Sequence, residues 1–494
     1  MNSTPEWITR SVSRLRTSAP AADKGGDKLA KAALDKSVTD VVAKVAVPRS
    51  THERLQATLR RGSEALSPRA LRRLLADLQE VVAPQVSEIE GGRRAQAVAE
   101  WYAKAEPEER RDMWLLMCEQ FAPDATRFKS ARQRYEAAAG TAEEGQAEIS
   151  LRRALVSPRT RLLQRFSVFP EGMRFLVDLR AEILPLLKAD KRLLPLDAEL
   201  EHLFSTWFDV AFLELKRLSW DSPASLLEKL IKYEAVHDIR SWADLKNRLD
   251  SDRRCYGFFH PRLPGEPLIF VEVALLDKIS SSITPLLDEA AAPADITRAT
   301  TAIFYSISNT QTGLRGVSFG DSLIKHVVET LTAEFPRLRT FATLSPIPGF
   351  RAWLGKHAGA MLERLDDKRR TELGRAVGFE PPQATHLLGA IDKALELDAK
   401  SPVRQMLLEC AAYYLGREMQ EGKPVDPVAR FHLGNGARVE RLNWAGDPSS
   451  KGQKQSYGLM VNYLYDLKRI DKHRSLLAQG KVPVSGDIDS LCRD

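Results

Sequence analysis

From about residue 50 to residue 208, apolar residues recur at three- and four-residue intervals, the spacing of one face of a helix. Leu71, Leu74, Leu75, Leu78, Val81 and Val82 form one such face, opened by Ser67-Pro68, a capping residue and a first-turn proline. Glu106-Pro107 opens a second helix with Met113, Leu116 and Met117 inward, and Pro123 closes it. Ser157-Pro158 opens a third around Leu162, Leu163 and Phe166. Phe175, Leu176, Leu179, Ile183 and Leu187 make a further face, and Ala138 to Gly145 reads as a polar loop. Nothing in this half repeats at a fixed period or gathers reactive side chains. It reads as a packing or self-association module.

The pattern changes after about Trp207. Two helices are predicted, from Ser222-Pro223 (Leu226, Leu227, Leu230) and from Ser241 (Trp242, Leu245, Leu249), and then strands appear. Cys255 to His260 and Leu268 to Leu275 flank Pro264-Gly265 as an antiparallel hairpin. Ala302 to Ser308 reads as a buried strand, followed by a loop from Asn309 to Gly320 and a helix carrying Phe319, Leu323, Ile324, Val327, Val328 and Leu331. Thr340 to Leu344 reads as a strand stopped by Ser345-Pro346. Arg430 to Leu433 and Ala437 to Trp444 flank Gly434-Asn435-Gly436 and read as a hairpin, because Asn-Gly supplies the positive φ of a tight turn. Tyr457 to Leu467 reads as the last strand. The order predicts an α+β fold: a tail over 1–50, a helical domain over 51–208 and a mixed-sheet domain over 209–494.

Charge adds little. The 73 Lys and Arg against 66 Asp and Glu give +7, interspersed with acids, which describes a solvated surface better than a nucleic-acid face. No apolar run approaches the ~18 residues of a membrane span. Cys118, Cys255, Cys410 and Cys492 lie far apart, with no CxxC pair and no histidine at metal-ligand spacing, so neither a disulfide framework nor a metal site is expected. The Ser/Arg-rich stretch Ser11 to Ser18 has the flavour of a transit peptide, but Glu6, Asp23, Asp27 and Asp35 lie close by, so a cytoplasmic tail is expected, with the mitochondrial matrix as the alternative.

Three clusters carry candidate chemistry. Gly313-Leu314-Arg315-Gly316-Val317-Ser318-Phe319-Gly320 lies between a strand and a helix, where backbone N–H groups can cradle phosphate; its spacing is neither a Rossmann fingerprint nor a Walker loop. Ser345 sits at the carboxyl end of a strand, held in a turn by the two prolines that follow it, a position for ligand contact as well as for a turn. His432 lies beside the Asn-Gly turn, with eight other histidines competing and no GxSxG to choose among them.

Together the segments TAIFYSIS (Thr301–Ser308), GLRGVSFGDSLIK (Gly313–Lys325), LSPIPGF (Leu344–Phe350), FHLGNGA (Phe431–Ala437) and GLMVNY (Gly458–Tyr463) resemble the malonyl-CoA decarboxylase family. The resemblance runs in order over roughly 200–470. It implies a helical N-terminal domain and a GNAT-like catalytic domain that holds CoA between two splayed strands, with the pyrophosphate on Arg315, Gly316, Val317, Ser318, Phe319, Gly320 and Asp321. It places a catalytic Ser–His pair on Ser345 and His432 and an active-site tyrosine on Tyr463. Some relatives carry a glutamate where this chain has Ser318. The implied reaction converts malonyl-CoA to acetyl-CoA and carbon dioxide with no cofactor, CoA being part of the substrate, in a homotetramer that binds neither nucleic acid nor membrane. A GNAT-type acyltransferase and a noncatalytic CoA-binding protein are the alternative readings.

Overall fold

The structure, a computed structural model, describes residues 65–317 and 323–493. The expected tail and the loop residues Ser318, Phe319, Gly320 and Asp321 lie outside the described residues. The chain divides into two compact units: one runs up to Phe204 and also takes Thr312–Gly316, the other comprises Ser205–Gln311 and the chain from Val317 onward.

The first unit is helical. Its helices are Pro68–Val81, Glu88–Lys104, Pro107–Gln120, Ala125–Ala138, Glu144–Leu155, Pro158–Phe166, Gly172–Ile183 and Leu194–Trp207, the last running into the second unit. The starts follow from the sequence: the Ser67 hydroxyl accepts from the Ala70 amide, the Ser157 hydroxyl from Arg159, and Glu106 and Glu109 form a reciprocal capping box. Leu71, Leu74, Leu78, Val81, Leu162, Leu163, Phe166, Leu176, Leu179 and Ile183 are buried, as the periodicity requires. The polar stretch from Ala138 is narrower than expected, because one helix includes Ala138 and the next starts at Glu144. No helix among the described residues is long and apolar enough to cross a membrane.

The second unit is built on an eight-stranded mixed sheet. Strands β1 (Glu214–Leu218), β2 (Arg253–Phe259), β3 (Pro267–Leu276) and β4 (Thr301–Asn309) form an antiparallel meander, and β4 pairs parallel with β5 (Thr340–Thr343). Beyond β6 (Ser345–Pro346) a small ribbon joins β7 (Met419–Gln420) to β8 (Lys423–Pro424); the main sheet then closes with β9 (Arg438–Asn443) and β10 (Met460–Leu464). The parallel pairing reaches only from Thr301 to Phe304 against Thr340 to Thr343, ending on the bond from the Leu344 amide to the Phe304 carbonyl. From there the chain leaves β4 but stays beside β10, which already pairs with β5 at Ala342 opposite Leu464: Ser345 lies opposite Val461 and Pro346 opposite Met460. The two central strands therefore part at the level of Ser345. Ala274, Ile303, Tyr305, Ala342, Leu344 and Met460 pack into one core cluster around this junction.

Three sequence expectations change. β5 ends at Thr343, but Ser345-Pro346 does not leave the sheet: it forms β6 on β10, the strand that already pairs with β5 at Ala342. Tyr457 to Leu467 is not all strand, because a helix, Ser450–Ser456, ends in Tyr457 and Gly458 at positive φ (55° and 82°) and β10 starts only at Met460. The hairpin around Gly434-Asn435-Gly436 is a helix, Pro427–Gly434, followed by β9. Asp426 and Pro427 are its cap and first-turn residue, and the same Asn-Gly pair that suits a hairpin also ends helices. Gly436 (φ 84°) stands at the left-handed stop: its amide donates to the Leu433 carbonyl and that of Ala437 to the His432 carbonyl.

Gly436→Ala tests this ending. A methyl group there would lie 2.5 Å from Ile470 Cγ2 on a backbone that disfavours side chains. Urea unfolding should show a loss of about 1–3 kcal/mol; an unchanged midpoint would mean that the turn has another conformation.

Candidate active site

Ser345 and His432 are 87 residues apart in sequence, yet Ser345 Oγ lies 3.3 Å from His432 Nε2, both residues buried. The interruption in the pairing with β10 makes the first half of this contact. Thr343 Oγ1 accepts the Ser345 hydroxyl at 2.9 Å and the Tyr463 amide at 3.1 Å, so a side chain takes the place of a strand carbonyl where the chain turns. The Thr343 carbonyl accepts from Asn462 Nδ2 at 2.6 Å, and Asn462 Oδ1 accepts from Asn443 Nδ2 at 2.8 Å and Arg441 Nε at 3.2 Å. Backbone on both sides of the serine is thereby fixed.

The helix Pro427–Gly434 makes the second half. His432 falls in its last turn, six residues after Asp426, whose carboxylate accepts the Val428 and Ala429 amides at 2.9 Å each. The Gly349 amide, four residues beyond Ser345, favours the charged form of the same carboxylate. The Tyr414 hydroxyl lies 3.4 Å from it. Asp426 is fully buried, and burial pushes its carboxyl above the usual range against the pull of these donors. One carboxylate thus joins the serine turn to the histidine helix.

Protonation follows from the surroundings. Burial pushes His432 down to about 3, so the imidazole is neutral near pH 7. Its Nδ1 lies 2.8 Å from the Tyr465 hydroxyl, whose own ionisation burial pushes far up. The tyrosine proton has Nδ1 as its recorded acceptor, which leaves the imidazole proton on Nε2, directed at Ser345 Oγ; the serine hydroxyl then donates to Thr343. The hydrogen bonds run in one direction, from Tyr465 through His432 and Ser345 to Thr343.

Tyr463 enters this site by its ring, stacked on the imidazole at 4.8 Å between centroids. The hydroxyl on His432 belongs to Tyr465, two residues further along the same chain direction. Tyr463 is fully buried, its hydroxyl has no hydrogen-bond partner among the described residues, and burial holds it protonated. Sequence reasoning missed Thr343, Asp426 and Tyr465. Asp426-Pro427 was a readable helix start, and Tyr465 shares an alternation with Tyr463; Thr343 gave no signal.

Of the expected phosphate loop, Arg315, Gly316 and Val317 are described. Arg315 and Gly316 are exposed and Val317 is buried. Gly316 has φ 82°, which favours glycine whatever the space around it. The Gly313 and Arg315 carbonyls both accept from Arg180 Nη1, at 2.8 and 2.9 Å, all within the helical unit.

The depressed histidine has a consequence for stability. A folded value of about 3 against 6.5 for the free side chain means that the unfolded chain takes up the proton first, so stability present above pH 6.5 is lost as pH falls toward 3. His432 should account for about 2 kcal/mol of loss by pH 5. His432→Gln should therefore lose less stability between pH 7 and pH 5 than the parent, with His237, also lowered by burial to about 4, common to both. Equal losses in urea titrations at the two pH values would contradict a neutral buried imidazole.

Comparison with known proteins agrees with this architecture. The family model described as malonyl-CoA decarboxylase C-terminal domain matches residues 211–494, and that described as malonyl-CoA decarboxylase N-terminal domain matches 121–208. The mitochondrial malonyl-CoA decarboxylase of Rattus norvegicus is 38% identical over 361 residues, 70% of this chain and 73% of the rat protein. That of Mus musculus is 39% identical over 363 residues, with the same coverage. The crystal structure of malonyl-CoA decarboxylase from Rhodopseudomonas palustris superposes with a TM-score of 0.72 at 40% identity, covering 85% of this chain and 99% of that one. The structure from Cupriavidus metallidurans gives 0.71 at 43% identity, covering 86% and 100%. With both halves matched in order and the sheet splayed at Ser345, the chain belongs to the malonyl-CoA decarboxylase family.

Proposed function

We propose that the protein is a carboxy-lyase that converts malonyl-CoA to acetyl-CoA and carbon dioxide, with Ser345 and His432 delivering the proton that completes the reaction. Family membership supports the overall activity, and the buried contact between Ser345 Oγ and His432 Nε2 is the observation that carries the mechanism. The bond between C2 and the carboxylate carbon breaks, carbon dioxide leaves, and the electron pair passes into the thioester carbonyl as an enolate. One proton, replaced from solvent in each turnover, then joins C2. The thioester is itself the electron sink, so the reaction asks for no added cofactor.

An anionic substrate beside His432 raises its affinity for a proton, so the imidazole takes one from solvent and passes one through Ser345 to C2, ending neutral again, while Tyr465 fixes which ring nitrogen faces Ser345. The Tyr463 hydroxyl, protonated and unpartnered, is a donor for a substrate oxygen. Preorganised donors in a water-poor site stabilise a developing oxyanion by several kcal/mol. Arg315, Gly316 and Val317 are the described part of the loop we assign to the CoA pyrophosphate. Self-association through the helical unit, as a tetramer, belongs to the same proposal, supported by the exposed Ile149, Leu155 and Val156 on and just after one helix.

Incubation with malonyl-CoA alone should yield acetyl-CoA. His432→Asn should lower turnover about 10²–10⁴-fold, the range of a general acid–base group. Ser345→Ala should lower it as well, and the double variant should be little worse than the poorer single one, because residues acting as a unit are not additive. Wild-type turnover per folded His432→Asn molecule, checked by melting temperature, would refute the pair.

A further inference from the structure

Arg180 is a buried cation in the helical unit, far in sequence from the proposed chemistry. It is 1% exposed and lies near the end of the helix Gly172–Ile183. Its Nε donates to Asp197 Oδ1 at 2.8 Å, and its Nη2 reaches Glu201 Oε2 at 3.4 Å. Two carboxylates therefore compensate its charge locally, and it is not available as a cation for a phosphate. What remains of the guanidinium grips backbone: Nη1 donates to the carbonyls of Gly313 and Arg315.

One turn earlier on the same helix, the Val177 carbonyl presses so closely on Gly313 that a Cβ there would lie 1.9 Å from its oxygen. The loop is docked on residues 177 and 180 through main-chain atoms, and only glycine permits the approach. The Arg315–Gly316 peptide then has its orientation set. In a planar trans peptide the C=O and N–H point in opposite directions, so a carbonyl held by Arg180 turns the Gly316 N–H away from the guanidinium. The positive φ of Gly316 follows at that residue, which is itself exposed.

We propose that Arg180 is a positioning residue for binding of the CoA phosphates: it acts through the Thr312–Gly316 backbone and presents the Gly316 amide to the anion. This rests on the reading of the loop as a pyrophosphate cradle. The guanidinium fork is what the geometry needs, since two carbonyls and two carboxylates converge on one group; a lysine ammonium keeps the charge but loses the planar fork.

The test compares malonyl-CoA with malonyl-pantetheine, which carries the same reacting thioester and no phosphate. Arg180→Met should raise KM for malonyl-CoA about tenfold or more and change it for malonyl-pantetheine less than twofold, with kcat falling much less than KM rises. Arg180→Lys, which preserves a cation for Asp197 and Glu201, should fold even where Arg180→Met does not and show the same selective loss in weaker form. A parallel rise for both substrates, or no rise for either, would overturn the proposal and mark Arg180 as merely structural. Gly316→Val separates the two layers. If it abolishes the preference for malonyl-CoA while both Arg180 variants keep it, the loop reading stands and the role of Arg180 falls. If the parent enzyme shows no such preference, both fall.

Discussion

A single buried carboxylate sets the geometry on which the candidate site depends. Asp426 accepts the first amides of the helix that ends in His432, and the Gly349 amide of the turn that begins at Ser345 favours its charge. Such a group is costly to bury and is tolerable only with donors on its lone pairs. Here the donors are the very elements to be aligned, so satisfying the carboxylate and bringing serine to histidine are the same event. The arrangement also explains why the helix begins with Asp-Pro and why a glycine stands at 349: a Cβ there would meet the Tyr414 hydroxyl at 2.4 Å.

Among the described residues around that junction, the Tyr305 and Tyr463 hydroxyls have no hydrogen-bond partner, and the second of these lies at the site itself. The chain Tyr465, His432, Ser345, Thr343 is closed, as is the amide network of Asn443, Asn462 and the Thr343 carbonyl. The Tyr463 hydroxyl is not. A histidine so deprived of water and of neighbouring charge stays neutral, and an anionic substrate carboxylate or enolate brought beside it would raise its affinity for a proton. The ligand would thereby prepare the group that protonates its own product. Strong electrostatic response to a small change of charge is what a low-dielectric site offers.

Much of the fold was readable because its signals are local. Ser67-Pro68, Glu106-Pro107 and Ser157-Pro158 announce helices that form where they should, and the strands at β2, β3 and β4 follow from their apolar, β-branched content. The error at Gly434-Asn435-Gly436 arose because Asn-Gly serves two conformations that share a positive φ; the deciding residues, Asp426 and Pro427, lie on the far side of the segment. The site was legible as Ser345 and His432 through resemblance alone, since no spacing rule connects residues 87 apart. Thr343 was hidden for a different reason: it replaces a backbone acceptor where the ladder to β10 is interrupted, and that interruption is a property of the sheet.

The interleaving of Thr312–Gly316 with the helical unit has a consequence for the order in which the molecule is made. On a ribosome the helices emerge first, with Asp197 and Glu201 soon available to Arg180, but the carbonyls of Gly313 and Arg315 are 133 and 135 residues further down the chain. Until then the arginine must remain hydrated or the unit must stay open on that side. The helical half is first in the sequence and yet cannot be the first part to finish, and the strands β1 to β4 must be synthesised before the earlier unit can seal its own interior.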